Sequence, residues 1–220
     1  MAAVAGRPVI ADVLAFRYAS PEMTLIWSPQ HKVVLERQLW LAVLKAQRDL
    51  GVPATAGAID AYEAVAEAVD LSSITERERV LRHDVKARIE EFNDLAGYQD
   101  VHKGMTSRDL TENVEQLQVR RSLELVRDRC VATLVRLARL AVEHAELVIT
   151  GRTHNVAAQA TTLGKRFATT ADELLVAFDR VVDLLGRYPL RGIKGPVGTG
   201  QDRLDLLGGD ARRLAELERR

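Results

Sequence analysis

Apolar residues recur along this chain with helical spacing almost throughout. Before residue 97 they repeat every three or four positions in four segments, which cover residues 33–50, 59–69, 75–82 and 85–97. The first segment ends at Leu50-Gly51 with Pro53 just beyond, which is the usual stop signal of a helix. No segment alternates strictly as a strand would, and no Asn-Gly or Asp-Gly pair marks a hairpin. The pattern predicts an all-α protein.

The most informative segment runs from Thr106 to about Ile149 and contains neither proline nor glycine. Thr106 and Asp109 have the spacing of a helix N-terminus. Apolar residues follow at steps that average about 3.6, and a second apolar line runs through Leu125, Ala132, Val135, Ala138 and Val142. We therefore predict one helix of roughly 40 residues, about 60 Å long, that is buried on two faces.

The length of this predicted helix constrains the architecture. A compact globule of this chain length is roughly 45 Å across, so a 60 Å helix does not fit inside it. A further helix is predicted from about Ala160 to Leu185. We expect a small N-terminal helical domain, residues 1–105, followed by the first long helices of an elongated central helical bundle, residues 106–220, which assembles with other chains. The alternative is a kinked helix in a monomer.

Composition and charge exclude several classes of protein. The 31 basic and 31 acidic side chains give zero net charge, which argues against nucleic acid or an anionic membrane as the main partner. Cys130 is the single cysteine, so no disulfide forms within the chain. No apolar run approaches the roughly 18 residues of a membrane span, and the N-terminus lacks the pattern of a signal peptide. We expect a cytoplasmic protein.

Histidines at the edges of predicted helices are the first candidates for chemistry. His83, His102 and His154 lie at such edges, whereas His144 lies within the long helix and is interpreted as packed or solvated. The chain has neither two histidines four residues apart on a helix nor a pair of cysteines. A metal site is therefore not predicted.

Two further segments have both a functional and a purely structural interpretation. Thr106 and Ser107 offer hydroxyl and backbone N–H groups at a helix N-terminus, which suits a carboxylate or phosphate but also an ordinary helix cap. The loop from Arg191 to Gly200 has four glycines and fits neither a Walker A loop nor a dinucleotide fingerprint. It is either a flexible connection or a backbone that lies close to a ligand. Arg17 and Tyr18 lie in an N-terminal segment that is predicted to be irregular.

Five segments taken together resemble the adenylosuccinate lyase family of the fumarase/aspartase superfamily. They occur in order along nearly the whole chain: R-Y-A-S-P-E-M from Arg17, R-H-D-V-K-A from Arg82, H-K-G-M-T-S-R-D-L-T-E-N from His102, G-R-T-H-N-V-A-A-Q-A-T-T-L-G-K from Gly151 and I-K-G-P-V-G-T from Ile193. The first two segments distinguish this family from fumarase, aspartase and argininosuccinate lyase. Two residues depart from the family pattern in a minor way, Ala160 and Pro196, and both are expected to lie beside the site.

The resemblance implies a β-elimination that releases fumarate from adenylosuccinate, giving AMP, and from the succinyl-carboxamide intermediate of purine synthesis, without a cofactor. It implies that His154 is the general acid and that Thr106 and Ser107 bind the succinyl carboxylates. Arg17 and Tyr18 match residues near the substrate phosphate, and Arg82, His83 and Asp84 match a further substrate-binding segment. Lys86 and His102 are expected to lie beside the site. We expect the complete protein to be a homotetramer whose active sites are shared between chains, an expectation that rests partly on this resemblance and partly on the length of the predicted helix.

One departure from the family pattern is large. The signature loop that carries the serine assigned as catalytic base, Ser-Ser-x-Met-Pro-x-Lys-x-Asn-Pro, does not occur in this sequence. We therefore expect an N-terminal fragment that is inactive alone. The alternatives are another lyase of the superfamily, such as argininosuccinate lyase, and a non-catalytic helical assembly protein.

Overall fold

The computed structural model describes residues 12–220, which contain ten α-helices and one two-stranded antiparallel sheet. The first six helices precede the long helix: α1 (Val13–Tyr18), α2 (Pro21–Trp27), α3 (Pro29–Asp49), α4 (Ala58–Ala64), α5 (Leu71–Leu81) and α6 (Asp84–Ala96). The remaining elements are α7 (Ser107–Glu143), β1 (Val148–Thr153), β2 (Val156–Thr162), α8 (Leu163–Arg187), α9 (Gln201–Leu206) and α10 (Ala211–Arg219). The predicted all-α fold class is confirmed, with the short sheet as its exception.

Capping residues explain where the first helices begin. Ser20 and Ser28 each accept a hydrogen bond from a backbone N–H in the first turn of α2 and α3, and a proline follows each serine. Asp12 caps α1 in the same way, accepting from the Ala15 N–H at 2.7 Å. Arg17 and Tyr18 therefore lie in a short helix, and the predicted irregular segment was wrong.

One compact unit comprises residues 12–118 together with Leu190–Arg220. Its core is aromatic: Trp40 stacks on Phe92 with ring centroids 6.1 Å apart, and Phe92 contacts Tyr62 at 4.7 Å. The buried Arg37 guanidinium lies 4.7 Å above the Phe92 ring and forms an ion pair with the buried Glu91. This core joins α3, α4 and α6, so it holds the loop that leads into α7.

The second compact unit, Val119–Pro189, contains the rest of α7, the hairpin β1–β2 and α8. The 37 residues of α7 form one helix about 55 Å long. In this unit, apolar side chains remain exposed on both helices: Val126, Val131, Val135, Val142, Leu175, Val176 and Val182. The division into units falls inside α7, and the domain boundary at 105/106 stays a prediction. None of the described helices is long and apolar enough to cross a membrane.

The hairpin corrects three sequence-based predictions. The long helix ends at Glu143 rather than near Ile149, α8 begins at Leu163 rather than Ala160, and residues 148–153 and 156–162 are strands. β-Branched residues are frequent in both strands, which favours extended backbone, but apolar and polar positions do not alternate there. At the turn, His154 and Asn155 have φ of 49° and 62°, the left-handed pair that a type I′ turn requires.

Candidate active site

The start of α7 is organised by the carboxylate of Asp109, which is completely buried. Its oxygens accept four hydrogen bonds, from the backbone N–H groups of Thr106 (3.0 Å), Lys194 (2.9 Å) and Gly195 (2.9 Å) and from Arg191 Nη1 (2.8 Å). The bond to Thr106 satisfies a donor at the helix N-terminus, so the predicted helix start is confirmed. Thr106 and Ser107, both half-buried, are thereby held beside the glycine-rich loop.

The next turns of α7 attach the same loop more firmly. Asn113 forms two hydrogen bonds with the backbone of Gly192, each 2.9 Å long, and Gln116 Oε1 accepts from the Arg191 N–H at 2.5 Å. Gly192 and Gly195 both have positive φ, a backbone conformation that glycine adopts readily. Residues 191–195 are therefore not a free connection. Sequence reasoning missed Asn113 and Arg191, although Asp109 and Asn113 share one helix face.

Lys194 belongs to the glycine-rich loop and has an exposed side chain. Its N–H is fixed by Asp109, whereas its side chain is exposed and has no ion-pair partner in the described part of the chain. An unpaired ammonium close to the start of α7 strengthens the attraction of this region for an anion.

His102 lies against the unit's core and close to His83. Its Nδ1 accepts a hydrogen bond from Trp40 Nε1 at 2.9 Å. Burial lowers the pKa of His102, the carboxylate of Asp109 opposes this effect, and His83 lowers the pKa further. Val85 packs in the same core cluster as Val101 and Met105, so the segments R-H-D-V-K-A and H-K-G-M-T-S lie close together in space.

The segment Arg82–Asp84 joins α5 to α6 and is exposed. Arg82 ends α5 with a φ of 55°, and His83 caps α6 by accepting the Lys86 N–H on Nδ1 at 3.2 Å. The Nε2 atom of His83 is thus the ring nitrogen left for a ligand. Partial burial raises the pKa of Asp84, but the hydrogen bond from Arg88 (2.7 Å) and further favourable contacts outweigh it, so the net shift is downward. Asp84 is therefore an ionised carboxylate paired within the chain.

The remaining predicted site residues lie on α1 and in the hairpin. Arg17 and Tyr18 are exposed on α1, and within the described residues neither side chain forms a hydrogen bond or ion pair. His154 is exposed at the hairpin turn, where Arg152 Nη1 donates to the Asn155 carbonyl at 3.1 Å. Thr106 and Ser107 belong to one compact unit, whereas His154 belongs to the other.

One cavity of the first unit does not coincide with the predicted site. It measures about 780 Å³ and lies between α3, α7, the glycine-rich loop and the last residues of α10, with apolar walls that include Leu39, Val43 and Val114. Among the predicted site residues none lines it. Within residues 12–220, no group of three or more His, Cys, Asp or Glu side chains could hold a metal ion.

Comparisons with known proteins agree with the motifs. A family model described as "Lyase" matches residues 18–203. Adenylosuccinate lyase of Caenorhabditis briggsae is 34% identical over 214 residues, which are 94% of this chain and 44% of that protein. N-acetyl-S-(2-succino)cysteine lyase of Dickeya dadantii is 29% identical, over 83% of this chain and 41% of that protein.

A solved structure has the same fold. The 3-carboxy-cis,cis-muconate lactonizing enzyme of Pseudomonas putida superposes with a TM-score of 0.79 at 22% identity, covering 94% of this chain and 49% of that one. The chain thus spans less than half the length of the relatives it matches. The resemblance to the fumarase/aspartase superfamily is confirmed, and the chain belongs to this lyase family.

Proposed function

We propose that this chain is the N-terminal part of an adenylosuccinate lyase, which releases fumarate from adenylosuccinate, giving AMP, and from the succinyl-carboxamide intermediate of purine synthesis. The observation that carries the proposal is the arrangement at the start of α7. There the T-S pair, the glycine-rich loop and two histidines from separate motifs lie together in one unit. We expect the protein to be cytoplasmic.

The proposed chemistry requires three kinds of group. A base removes the C–H proton, the C–N bond breaks, and the nitrogen leaves with the bonding electron pair and takes a proton from an acid. Positive charge and N–H groups stabilise the carboxylate that becomes dianionic before the C–N bond breaks. We assign the carboxylates to Thr106 and Ser107, because their hydroxyls and the first-turn N–H groups that Asp109 does not engage can donate to an anion at the start of this long helix.

His154 is the proposed general acid. Imidazole is the side chain that most often transfers protons in general acid–base catalysis, and it can donate one to the leaving nitrogen. The hairpin turn presents this imidazole to solvent, where a substrate bound by other elements can reach it.

The other predicted residues are proposed to bind substrate. Arg82 and His83 have exposed side chains, and His83 keeps Nε2 for a phosphate oxygen. Asp84 is proposed to belong to the same substrate-binding segment, and its carboxylate remains paired with Arg88. Arg17 and Tyr18 add a cation and a phenol for the phosphate, as the family resemblance implies.

The complete protein is proposed to be a homotetramer with active sites shared between chains. Thr106 directly precedes α7 and the hairpin with His154 follows it, while the helix itself is about 55 Å long, far longer than one substrate. The exposed apolar side chains of the second unit support association with other chains. The catalytic base is proposed to come from the signature loop, so residues 1–220 alone would be inactive.

A C–S lyase is the second candidate, because one relative is named N-acetyl-S-(2-succino)cysteine lyase. The test supplies the complete protein separately with adenylosuccinate, argininosuccinate and N-acetyl-S-(2-succino)cysteine and measures fumarate. We expect release from adenylosuccinate and its loss in His154→Ala, with release retained in the matched control His144→Ala. Preferential release from another substrate would identify that lyase instead, and no release from any substrate would favour a non-catalytic assembly protein.

A further inference from the structure

The loop between α6 and α7 places the His102 imidazole directly against Trp40 of α3. Trp40 is only 1% exposed, and its ring meets that of His102 edge-on, with centroids 5.9 Å apart and an interplanar angle of 83°. The indole Nε1 lies 2.9 Å from His102 Nδ1. His102 has a φ of 71°, which is rare for a residue with a side chain. Loop and core thus both fix where this imidazole lies.

The direction of this hydrogen bond fixes the protonation state of the ring. An indole nitrogen can only donate, so His102 Nδ1 must accept and carries no proton. A neutral imidazole has one N–H, which is then on Nε2. Protonating the ring would place a hydrogen on Nδ1 as well, so two donors would face each other and the buried indole N–H would lose its acceptor.

We propose that Trp40 is a positioning residue for His102: its indole N–H holds the imidazole as the neutral Nε2–H tautomer, so that His102 acts beside His83 as a hydrogen-bond donor and not as a cation. The tautomer follows from the contacts within this chain. Its bearing on catalysis rests on the proposed function.

The charged groups around His102 support a neutral ring. Burial lowers its pKa, and His83, at the junction of α5 and α6, lowers it further. Asp109 of α7 acts in the opposite direction, but its carboxylate is already engaged by four donors. On the loop itself, Lys103 is paired with Asp100, and Gln47 of α3 donates to the Lys103 carbonyl at 2.8 Å. These contacts hold the loop that carries His102 in place beside Trp40.

The tautomer can be read directly by ¹⁵N NMR of the imidazole nitrogens in residues 1–220 at pH 7, with His102→Asn used to assign the signals. We expect an unprotonated Nδ1 and a protonated Nε2 for His102. Trp40→Phe keeps a buried aromatic ring but removes the donor, and the His102 nitrogens should then report mixed tautomers. The matched control Trp27→Phe should leave them unchanged. A protonated Nδ1 in the unmutated chain would overturn the proposal without any variant.

The catalytic consequence is tested by the pH profile of kcat/KM for the complete protein. Because Trp40 stabilises the neutral ring, Trp40→Phe should raise the pKa of His102. The acidic limb of the profile would then move to higher pH by about 0.5–1 unit, the size expected for one lost hydrogen bond. A uniform fall in kcat/KM with an unmoved limb would indicate a structural role and overturn the positioning role. If the complete protein released no fumarate, the proposed function would fail, and the NMR measurement would still decide the tautomer.

Discussion

Removing the buried carboxylate of Asp109 should detach the glycine-rich loop from the start of α7. In Asp109→Ala, three backbone N–H groups and one guanidinium lose their acceptor, and the hydrogen bond from Gly195 is a buried one. Arg191 keeps a second partner, since its Nε lies 2.9 Å from Glu112. An unsatisfied buried donor costs about 1–3 kcal/mol, and breaking a buried ion pair about 3–5 kcal/mol. Because water can reach the less buried donors, we expect Asp109→Ala to lower the free energy of unfolding by about 3–5 kcal/mol.

The assay is urea unfolding of residues 1–220 followed by circular dichroism. Asp109→Asn should lose less unfolding free energy than the alanine variant, because its side-chain oxygen can still accept two of the four hydrogen bonds. Its NH2 group cannot accept the other two, since it is itself a donor. Glu76→Gln is the matched control, since Glu76 forms an exposed pair with Arg79 whose contribution is about 0.5 kcal/mol or less. If Asp109→Ala unfolded within about 1 kcal/mol of the unmutated chain, the role assigned to this carboxylate would be wrong.

Two further predictions concern stability. Burial raises the pKa of Glu36 to about 7 in spite of the nearby Arg88 and Lys32, whereas its ordinary value is 4.5. The folded chain therefore holds a proton that the unfolded chain releases, so unfolding free energy should fall by about 3 kcal/mol as pH rises from about 4.5 to about 7. Glu36→Gln should remove that fall in urea titrations across this range. A Cβ at Gly164 would lie 2.4 Å from the Ala141 carbonyl oxygen, so Gly164→Ala should lower the melting temperature, at a cost of about 1–3 kcal/mol. Gly186→Ala, in the same helix but with nothing within 4 Å, should raise it instead; equal effects of the two substitutions would refute the close approach of α7 and α8.

The sequence predicts most helices because their apolar spacing and caps are local signals. The helix expected over residues 33–50 is α3, Pro29–Asp49, and the cap at Ser28-Pro29 explains its earlier start. The hairpin was missed for a physical reason. Neither strand has a fully buried residue in this chain, so burial imposes little apolar–polar alternation on the sequence. The turn uses His154-Asn155 instead of an Asn-Gly pair.

At the candidate site, the motifs located the segments but not the contacts between them. The helix start at Thr106 follows from a local spacing, whereas the bonds from Asp109 and Asn113 to residues 191–195 join positions some 80 residues apart. The Trp40–His102 bond is another such contact, across 62 positions. Hydrogen bonds of this kind depend on how the helices pack, which no periodicity in a single sequence encodes.

Subunit complementation tests most directly the central claim that one chain's α7 start and another chain's hairpin complete each active site. Complete protein carrying His154→Ala is mixed with complete protein carrying Ser107→Ala, each inactive alone, under conditions that let subunits exchange. In an equal mixture about a quarter of the sites should contain both intact residues, so fumarate release from adenylosuccinate should return to about that fraction. If hybrid tetramers form and release no fumarate, the shared-site account is contradicted.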